Sequence, residues 1–279
     1  MSARSEAPPV ITFLSDYGHD DEFVGVCHGV IARRCPQARV IDLTHEIPPQ
    51  DVRQGALVLA SAAPYLPAGV HLAVVDPGVG ASGAGARRAV ALRAGETGHA
   101  LVGPDNGLLM PAVQALGGVA EAVDISRSLE RLAGMSATFH GRDLFAPVAA
   151  ALAAGAQLSQ VGRPLDHPRL CPLELSRATM RGGALHTRVL RSDHFGNLVL
   201  DAREADLSEL GSRPGAEVAV HHGRGVHVAR LARAFADVPE GELLLYEDSQ
   251  HLLSLAVNRG SAAHLLGAAA GAQLEVRLA

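Results

Sequence analysis

Three side chains of this sequence have the types and settings that handling a proton and a charge requires. Asp76 ends the apolar run Leu72 to Val75, which is bounded by Gly69 and by Pro77-Gly78 and reads as a strand buried on both faces. A carboxylate at the carboxyl end of such a strand stands where open α/β sheets bind their ligands. Arg87 and Arg88 close the Gly-rich loop that follows. His140 sits beside Gly141 in Thr138-Phe139-His140-Gly141-Arg142-Asp143, ahead of an Ala-rich helix expected over Val148 to Ala154. Asp76, Arg87 and His140 thus offer one pocket an acid, a permanent cation and a base. Taken alone, His140 fits a capping or packing role as well, and Arg142 and Asp143 pair with each other or cap the helix.

Other polar groups stand in comparable settings. Asp16 follows the apolar run Val10 to Leu14 in Ser15-Asp16-Tyr17-Gly18-His19-Asp20-Asp21. From a strand end its carboxylate can grip both hydroxyls of a ribose, which gives the segment a nucleoside-binding reading. Asp20, Asp21 and Glu22 fall in the first turn of a helix expected over Phe23 to Arg34, where acids complement the helix dipole, so Asp20 and Glu22 read as caps. Asp105 and Asn106 are the residues a turn requires and are outer supports of a site at best. Further along, Ser192-Asp193-His194-Phe195-Gly196-Asn197 forms a loop rich in hydrogen-bonding groups, and Glu247-Asp248-Ser249-Gln250 and Asn258-Arg259-Gly260-Ser261 form a similar pair.

Two chemistries are disfavoured. Gly78-Val79-Gly80-Ala81-Ser82-Gly83 matches the G-x-G-x-x-G dinucleotide pattern, but that pattern needs a helix N-terminus directly after it, and Ala86 to Arg93 alternates like a strand. Asp76 would also repel a phosphate there. The 14 histidines show no His-x-His or His-x-x-x-His spacing, and Cys27, Cys35 and Cys171 have no zinc-ligand spacing, so local spacing argues against a dedicated metal site. Ligands gathered from distant segments stay open. The cysteines read as reduced structural thiols.

The elements that must carry these groups alternate strand and helix. Val10 to Leu14, Phe23 to Arg34, Val40 to Leu43, Gln50 to Ala63 and Leu72 to Val75 read as βαβαβ, which predicts a mainly parallel sheet covered by helices on both faces. Ala89 to Leu92 and His99 to Val102 add strands, and Leu108 to Leu116 a helix. The proline-rich stretch Pro164 to Pro172 breaks the rhythm and marks a linker. Short strands with turns between them follow, without a long helix, in the pattern of a small all-β barrel or sandwich. The expectation is an N-terminal α/β domain over residues 1–170 and a C-terminal β-barrel domain over 171–279.

At 279 residues and 48% hydrophobic, the chain can bury a full core for each domain. A net charge of −5, with both signs mixed, argues against a nucleic-acid surface. No apolar segment approaches the length of a membrane span, and the beginning MSARSEAPPV reads as a short disordered leader without a signal-peptide core, so the expected location is cytoplasmic.

Taken together and in order, SDYG with its acidic turn, VVDPGVG followed by an Arg pair, GPDNGLL, TFHGRDLFAP, DHFGNL and the terminal AVNRGSAA resemble the S-adenosyl-L-methionine (SAM) hydroxide adenosyltransferase family, the SAM hydrolases related to fluorinase and chlorinase. The resemblance spans nearly the whole chain. It implies hydrolysis of SAM to adenosine and L-methionine, no cofactor and no metal, and a homotrimer with sites where the N-terminal domain of one subunit meets the C-terminal domain of the next. It assigns Asp76, Arg87 and His140 to an activated water, Asp16 to the ribose hydroxyls, Asp21, Asp193 and Ser249 to the methionine end, and Asn197 to the adenine. The loop Ala81 to Ala86 is longer than the family usually has, which leaves Arg87 and Arg88 both open for the arginine. The alternatives are a halide-using relative, which a carboxylate at the nucleophile position disfavours, and a nucleoside-binding regulator without turnover.

Overall fold

The computed structural model describes residues 7–83, 86–211, 213 and 215–279. Residues 1–6 of the expected leader, and Ala84 and Gly85 of the Gly-rich loop, lie outside the described residues. The chain divides into two compact units, Met1–Glu174 and Leu175–Ala279.

The first unit holds seven strands, β1 (Val10–Ser15), β2 (Arg39–Thr44), β3 (Val70–Val74), β4 (Ala89–Ala94), β5 (His99–Pro104), β6 (Val119–Asp124) and β7 (Arg163–Pro164), in the order β2-β1-β3-β5-β4-β6-β7. β2, β1, β3 and β5 run parallel, and β4 lies antiparallel between β5 and β6. Its helices are α1 (Phe23–Arg34), α2 (Val52–Ala62), α3 (Met110–Ala115), α4 (Ala146–Ala153) and the single turn α5 (Leu158–Val161).

Strand alternation builds a core on each face of the sheet. Ile11, Phe13, Leu72 and Val74 pack with Cys27 and Ile31 of α1 and Val148 and Ala149 of α4. Leu14, Ala73 and Val75 point the other way, into Leu59 of α2 and Val113 of α3. β3 is buried along its whole length because helices cover it on both sides, which is why its sequence reads as an unbroken apolar run.

Two expectations change. α1 begins at Phe23, with Glu22 at the cap position and no side-chain cap bond, so Asp20 and Asp21 precede the helix and Asp20 and Glu22 do not cap it through their side chains. β6 was not expected, because Gly117-Gly118 before it and its half-exposed pattern mask the alternation.

The second unit consists of β8 (Thr179–Arg181), β9 (Ala184–Ser192), β10 (Leu198–Leu200), β11 (Glu217–His222), β12 (Gly225–Leu231), β13 (Leu243–Glu247), β14 (Leu253–Val257) and β15 (Gln273–Leu278), with short helices α6 (Glu204–Glu209) and α7 (Ala262–Leu266). Pairing runs β10-β14-β13-β12-β11-β15-β9, and β9 pairs back to β10, so seven strands close into a barrel with β8 appended to β9. Leu185, Val189, Leu198, Val220, Leu245, Leu255 and Val276 fill its interior. Closure leaves no ladder edge around the ring, which is how a unit of short strands avoids exposing unpaired backbone.

Candidate active site

Asp16 and Asp76 follow β1 and β3, which are parallel neighbours, so both carboxylates emerge at the same edge of the sheet. β4 is antiparallel, and its amino end therefore lies at that edge too; Arg87 stands two residues before it. The third group arrives from a turn, because His140 immediately precedes a π-helical turn, Gly141–Phe145, that leads into α4.

Arg87 joins the other two. Its Nε donates to Asp76 Oδ1 at 2.9 Å, its Nη2 donates to Asp76 Oδ2, and Nη2 also lies 2.9 Å from Nδ1 of His140. The guanidinium lies over the Phe145 ring, 5.3 Å from the centroid. Only 6% of the Asp76 side chain and 11% of Arg87 is exposed, so the pair is poorly screened and geometrically fixed. Arg88 turns away: Nε and Nη2 donate to Asp105 Oδ2 at 2.8 and 2.6 Å. Asp105 Oδ1 accepts the Cys171 N–H, and Asn106 donates to the Val75 carbonyl, so this turn is a structural support of the strand end.

The guanidinium can only donate, so Nδ1 of His140 must accept, which places the ring proton of the neutral imidazole on Nε2. Burial first, then the Arg87 cation, pull the His140 pKa below the ordinary 6.5. The ring is therefore neutral at pH 7 and presents an Nε2–H donor. A water in contact with both groups would accept from His140 and donate to Asp76, the one anion of the three. Arg142 donates to both oxygens of Asp143, at 2.6 and 3.0 Å, the mutual pairing expected for them.

Asp16 accepts from the Gln50 N–H at 2.8 Å. Burial raises its pKa, the Gln50 bond opposes that, and the charge of Asp76 adds to the rise. Gln50 has φ 67°, a left-handed conformation that costs a non-glycine residue energy and aims its amide at Asp16. Nothing in the sequence flags this partner, 34 residues away. Tyr17, next to Asp16, is a further member: its ring meets Phe13, Phe23 and Phe139 at 6.3, 5.8 and 5.8 Å. Asp21 is exposed beyond this turn.

Glycines set the close approaches. Gly80, at φ 74°, brings the loop after Asp76 so near the next segment that a Cβ would stand 2.5 Å from the Ala137 carbonyl oxygen. At Gly141 a Cβ would overlap the Tyr17 hydroxyl and lie 3.0 Å from Cζ. Gly141→Ala is expected to displace Tyr17 or the His140 turn and cost about 1–3 kcal/mol of stability, as overpacking does. A melting temperature equal to that of the unmodified chain would show that this contact does not constrain the turn.

In the second unit, Asp193 organises its own loop. Oδ1 accepts from the Phe195 and Asn197 N–H groups, both at 2.9 Å, and Oδ2 from the Asn197 amide at 2.7 Å; Asn197 is buried. Ser249 is exposed in a turn held by Asp248, which accepts from the Gln250 and Leu252 N–H groups. Tyr246, which sequence reasoning missed, lies between the two loops, its pKa pushed up to about 12 by burial and then by Asp248 and Asp193.

Fold and site together define a class: an α/β unit with a carboxylate, guanidinium and imidazole clustered at the carboxyl edge of its sheet, followed by a closed β-barrel. Residues 11–162 match the SAM hydroxide adenosyltransferase N-terminal domain and residues 187–275 the corresponding C-terminal domain, and the chain belongs to this family. It is 51% identical over 268 residues to a protein of Salinispora arenicola named (R)-S-adenosyl-L-methionine hydrolase, covering 96% of this chain and 97% of that one. A protein of the same name from Thermus thermophilus is 40% identical over 275 residues, covering 96% and 98%. A fluorinase of an Actinoplanes species is 29% identical over 294 residues, covering 96% and 97%. Among solved structures, an uncharacterized conserved protein from Thermotoga maritima superposes with a TM-score of 0.87 at 36% identity, covering 96% of this chain and 99% of that one.

Proposed function

We propose that this chain is a hydrolase that converts SAM into adenosine and L-methionine by attack of water on C5′ of the ribose. The observation that carries this is the fixed Asp76, Arg87 and His140 cluster beside Asp16, in a family member whose relatives at 40% and 51% identity are named for that hydrolysis.

The chemistry suits these parts. The leaving group is already a sulfonium, so it departs as the neutral thioether of methionine and needs neither a general acid nor a metal. In this proposal Asp16 holds the ribose hydroxyls at the sheet edge. The water donates to Asp76 and accepts from His140 Nε2–H, which fixes its orientation toward C5′. As the oxygen–C5′ bond forms, the C5′–sulfur bond breaks and its electron pair stays on sulfur; the water proton passes to Asp76 and from there to solvent. Arg87 keeps Asp76 in place. Asp21, Asp193 and Ser249 serve the methionine end and Asn197 the adenine. The assembly is a homotrimer in which barrel loops of a neighbouring subunit complete the site; light scattering that returns a monomer under assay conditions would remove that part. No helix among the described residues is long and apolar enough to cross a membrane. A substrate that is an intracellular metabolite argues for a cytoplasmic enzyme.

The fluorinase relatives make halide the second reading. A halide would have to sit beside Asp76, and like charges at close contact repel by about 4 kcal/mol at an effective dielectric near 20. The deciding assay supplies each sulfonium epimer of SAM in 18O-labelled water, with chelator and chloride present. The expected products are methionine and adenosine carrying the label at O5′, with the (R) epimer preferred. Unlabelled adenosine, a 5′-chloro nucleoside as the main product, or loss of turnover on chelation each contradicts the mechanism.

A further inference from the structure

Apart from the cluster around Asp76, the α/β unit gathers a second group of chemistry-bearing side chains, on α1 and β2. The Nε2 of His28 donates to Asp42 Oδ1 at 2.9 Å. His45, just beyond β2, is fully buried, and its Nε2 lies 3.1 Å from the same oxygen. That approach lacks hydrogen-bond alignment, which leaves the His45 Nε2 a buried polar atom without a hydrogen-bond partner. One ligand atom from each of His28, Asp42 and His45 falls within 4.8 Å of the other two. An unsatisfied buried ring nitrogen is destabilising, so its persistence calls for an occupant.

We propose that His28, Asp42 and His45 form a binding site for one divalent transition-metal ion, with zinc as the best-suited occupant, separate from the hydrolytic cluster. Two imidazoles and one carboxylate are a donor set that zinc, nickel and cobalt accept and that magnesium and calcium, which prefer all-oxygen sites, do not. The spacing is near what is needed: ligand bonds of about 2.0–2.1 Å at tetrahedral angles set donor atoms about 3.3 Å apart, against 2.9 and 3.1 Å for the two contacts to Asp42.

The outer shell is in place as well. The Nδ1 of His45 is 2.7 Å from Ser15 Oγ, and that oxygen also accepts the Tyr17 N–H at 3.3 Å. With Nδ1–H donating to Ser15, the His45 lone pair lies on Nε2, directed at Asp42, and this is the second bond that metal-ligating histidines regularly make. The outward-facing position is left to water, since His28 and Asp42 are about one-third exposed.

The occupied site would tie three segments together: α1, the end of β2, and the β1–α1 turn. His45 is bound on both sides of the start of that turn, by Ser15 at the end of β1 and by the Gly18 N–H, which donates to the His45 carbonyl at 2.8 Å. Asp16 lies within the same turn, so the ion would stiffen the segment that carries it without touching the reacting atoms.

The test uses the full chain, stripped of metal and dialysed against zinc alone, with bound metal measured per chain. Cobalt serves as a spectroscopic probe, because His and carboxylate ligands give it a visible absorption characteristic of four-coordination. The expected result is one zinc per chain, a rise in melting temperature on binding, and at least tenfold weaker binding in both His28→Gln and Asp42→Asn. Both side chains are part-exposed, and the melting temperatures of the metal-free variants show whether they fold. Failure of the unmodified chain to retain zinc overturns the proposal. So does zinc held equally well by the folded variants, which would place it on other histidines.

Discussion

Asp76→Ala is expected to lower SAM turnover by about a thousandfold, roughly 4 kcal/mol of barrier, while adenosine binding changes little. The size follows from what the side chain does. Asp76 is the only anion in the cluster and the only group there that can accept a proton from the water, and 6% of it is exposed. Removing it also frees Arg87, whose Nε and Nη2 both point at the missing carboxylate, so a cation then faces the place where the nucleophile should gain charge. Asp76→Asn keeps the shape and loses the charge, and should lose nearly as much. Ligand affinity is spared because the ribose is assigned to Asp16, which has its own anchor at Gln50. Single-turnover chromatography and calorimetry on the same folded variants decide the matter. Turnover within tenfold of the unmodified chain would take Asp76 out of the mechanism.

The second large effect is on stability. On β3 and β5 the Nδ1 of His71 meets Thr12 Oγ1 at 2.7 Å, and its Nε2 meets Nδ1 of His99 at 2.8 Å, the two rings being stacked 5.0 Å apart. His71 is fully buried, and burial, then His99, lower its pKa from 6.5 to about 4. A histidine whose folded pKa is depressed contributes its full stability above the unfolded value of 6.5. Below that the unfolded chain binds a proton that the folded chain refuses, and the contribution is lost as pH falls toward 4. The α/β unit should lose about 3 kcal/mol across that window. Amide exchange of β3 at pH 7.5 and pH 4.5, after correction for intrinsic rates, reads the change, and His71→Leu should remove most of it. A β3 opening free energy independent of pH, or a slope that survives in His71→Leu, would place the acid sensitivity elsewhere.

The parallel core of the sheet was legible because burial on two faces writes itself as the apolar runs at β1 and β3, and the acids closing those runs marked the sheet edge at which the Asp76, Arg87 and His140 cluster gathers. The arginine was left open between two neighbours. It separates in three dimensions because consecutive residues of an extended segment point to opposite sides, Arg87 toward Asp76 and Arg88 toward Asp105. Asp16 was found, but its Gln50 partner was not, since a backbone amide carries no side-chain signature. The His28, Asp42 and His45 group has no local-spacing signature because a helix and a strand bring His28 to Asp42 across 14 residues. The helix start at Phe23 was legible, but the acids at residues 20–22 misled about capping: a composition that suits a helix start does not show that a side chain caps it. In the barrel, composition marked the loops and the resemblance singled out Asp193 and Ser249 within them, whereas Tyr246 between them looked like any strand residue.

The Asp76 to Arg87 bridge also works as a clasp. It fastens both ends of a loop spanning 11 positions, and Gly80 pins its first half against Ala137, while a side chain at Gly83 would meet nothing within 4 Å. Lengthening a loop whose ends are already tied costs only about 0.6 kcal/mol for each doubling. Extra residues can therefore accumulate at the tip without moving the carboxylate or the guanidinium, which accounts for a long, glycine-rich β3–β4 loop beside a rigid cluster. The same property makes the tip near Gly83 a place to insert a fluorophore or an affinity tag while leaving the chemistry where it is.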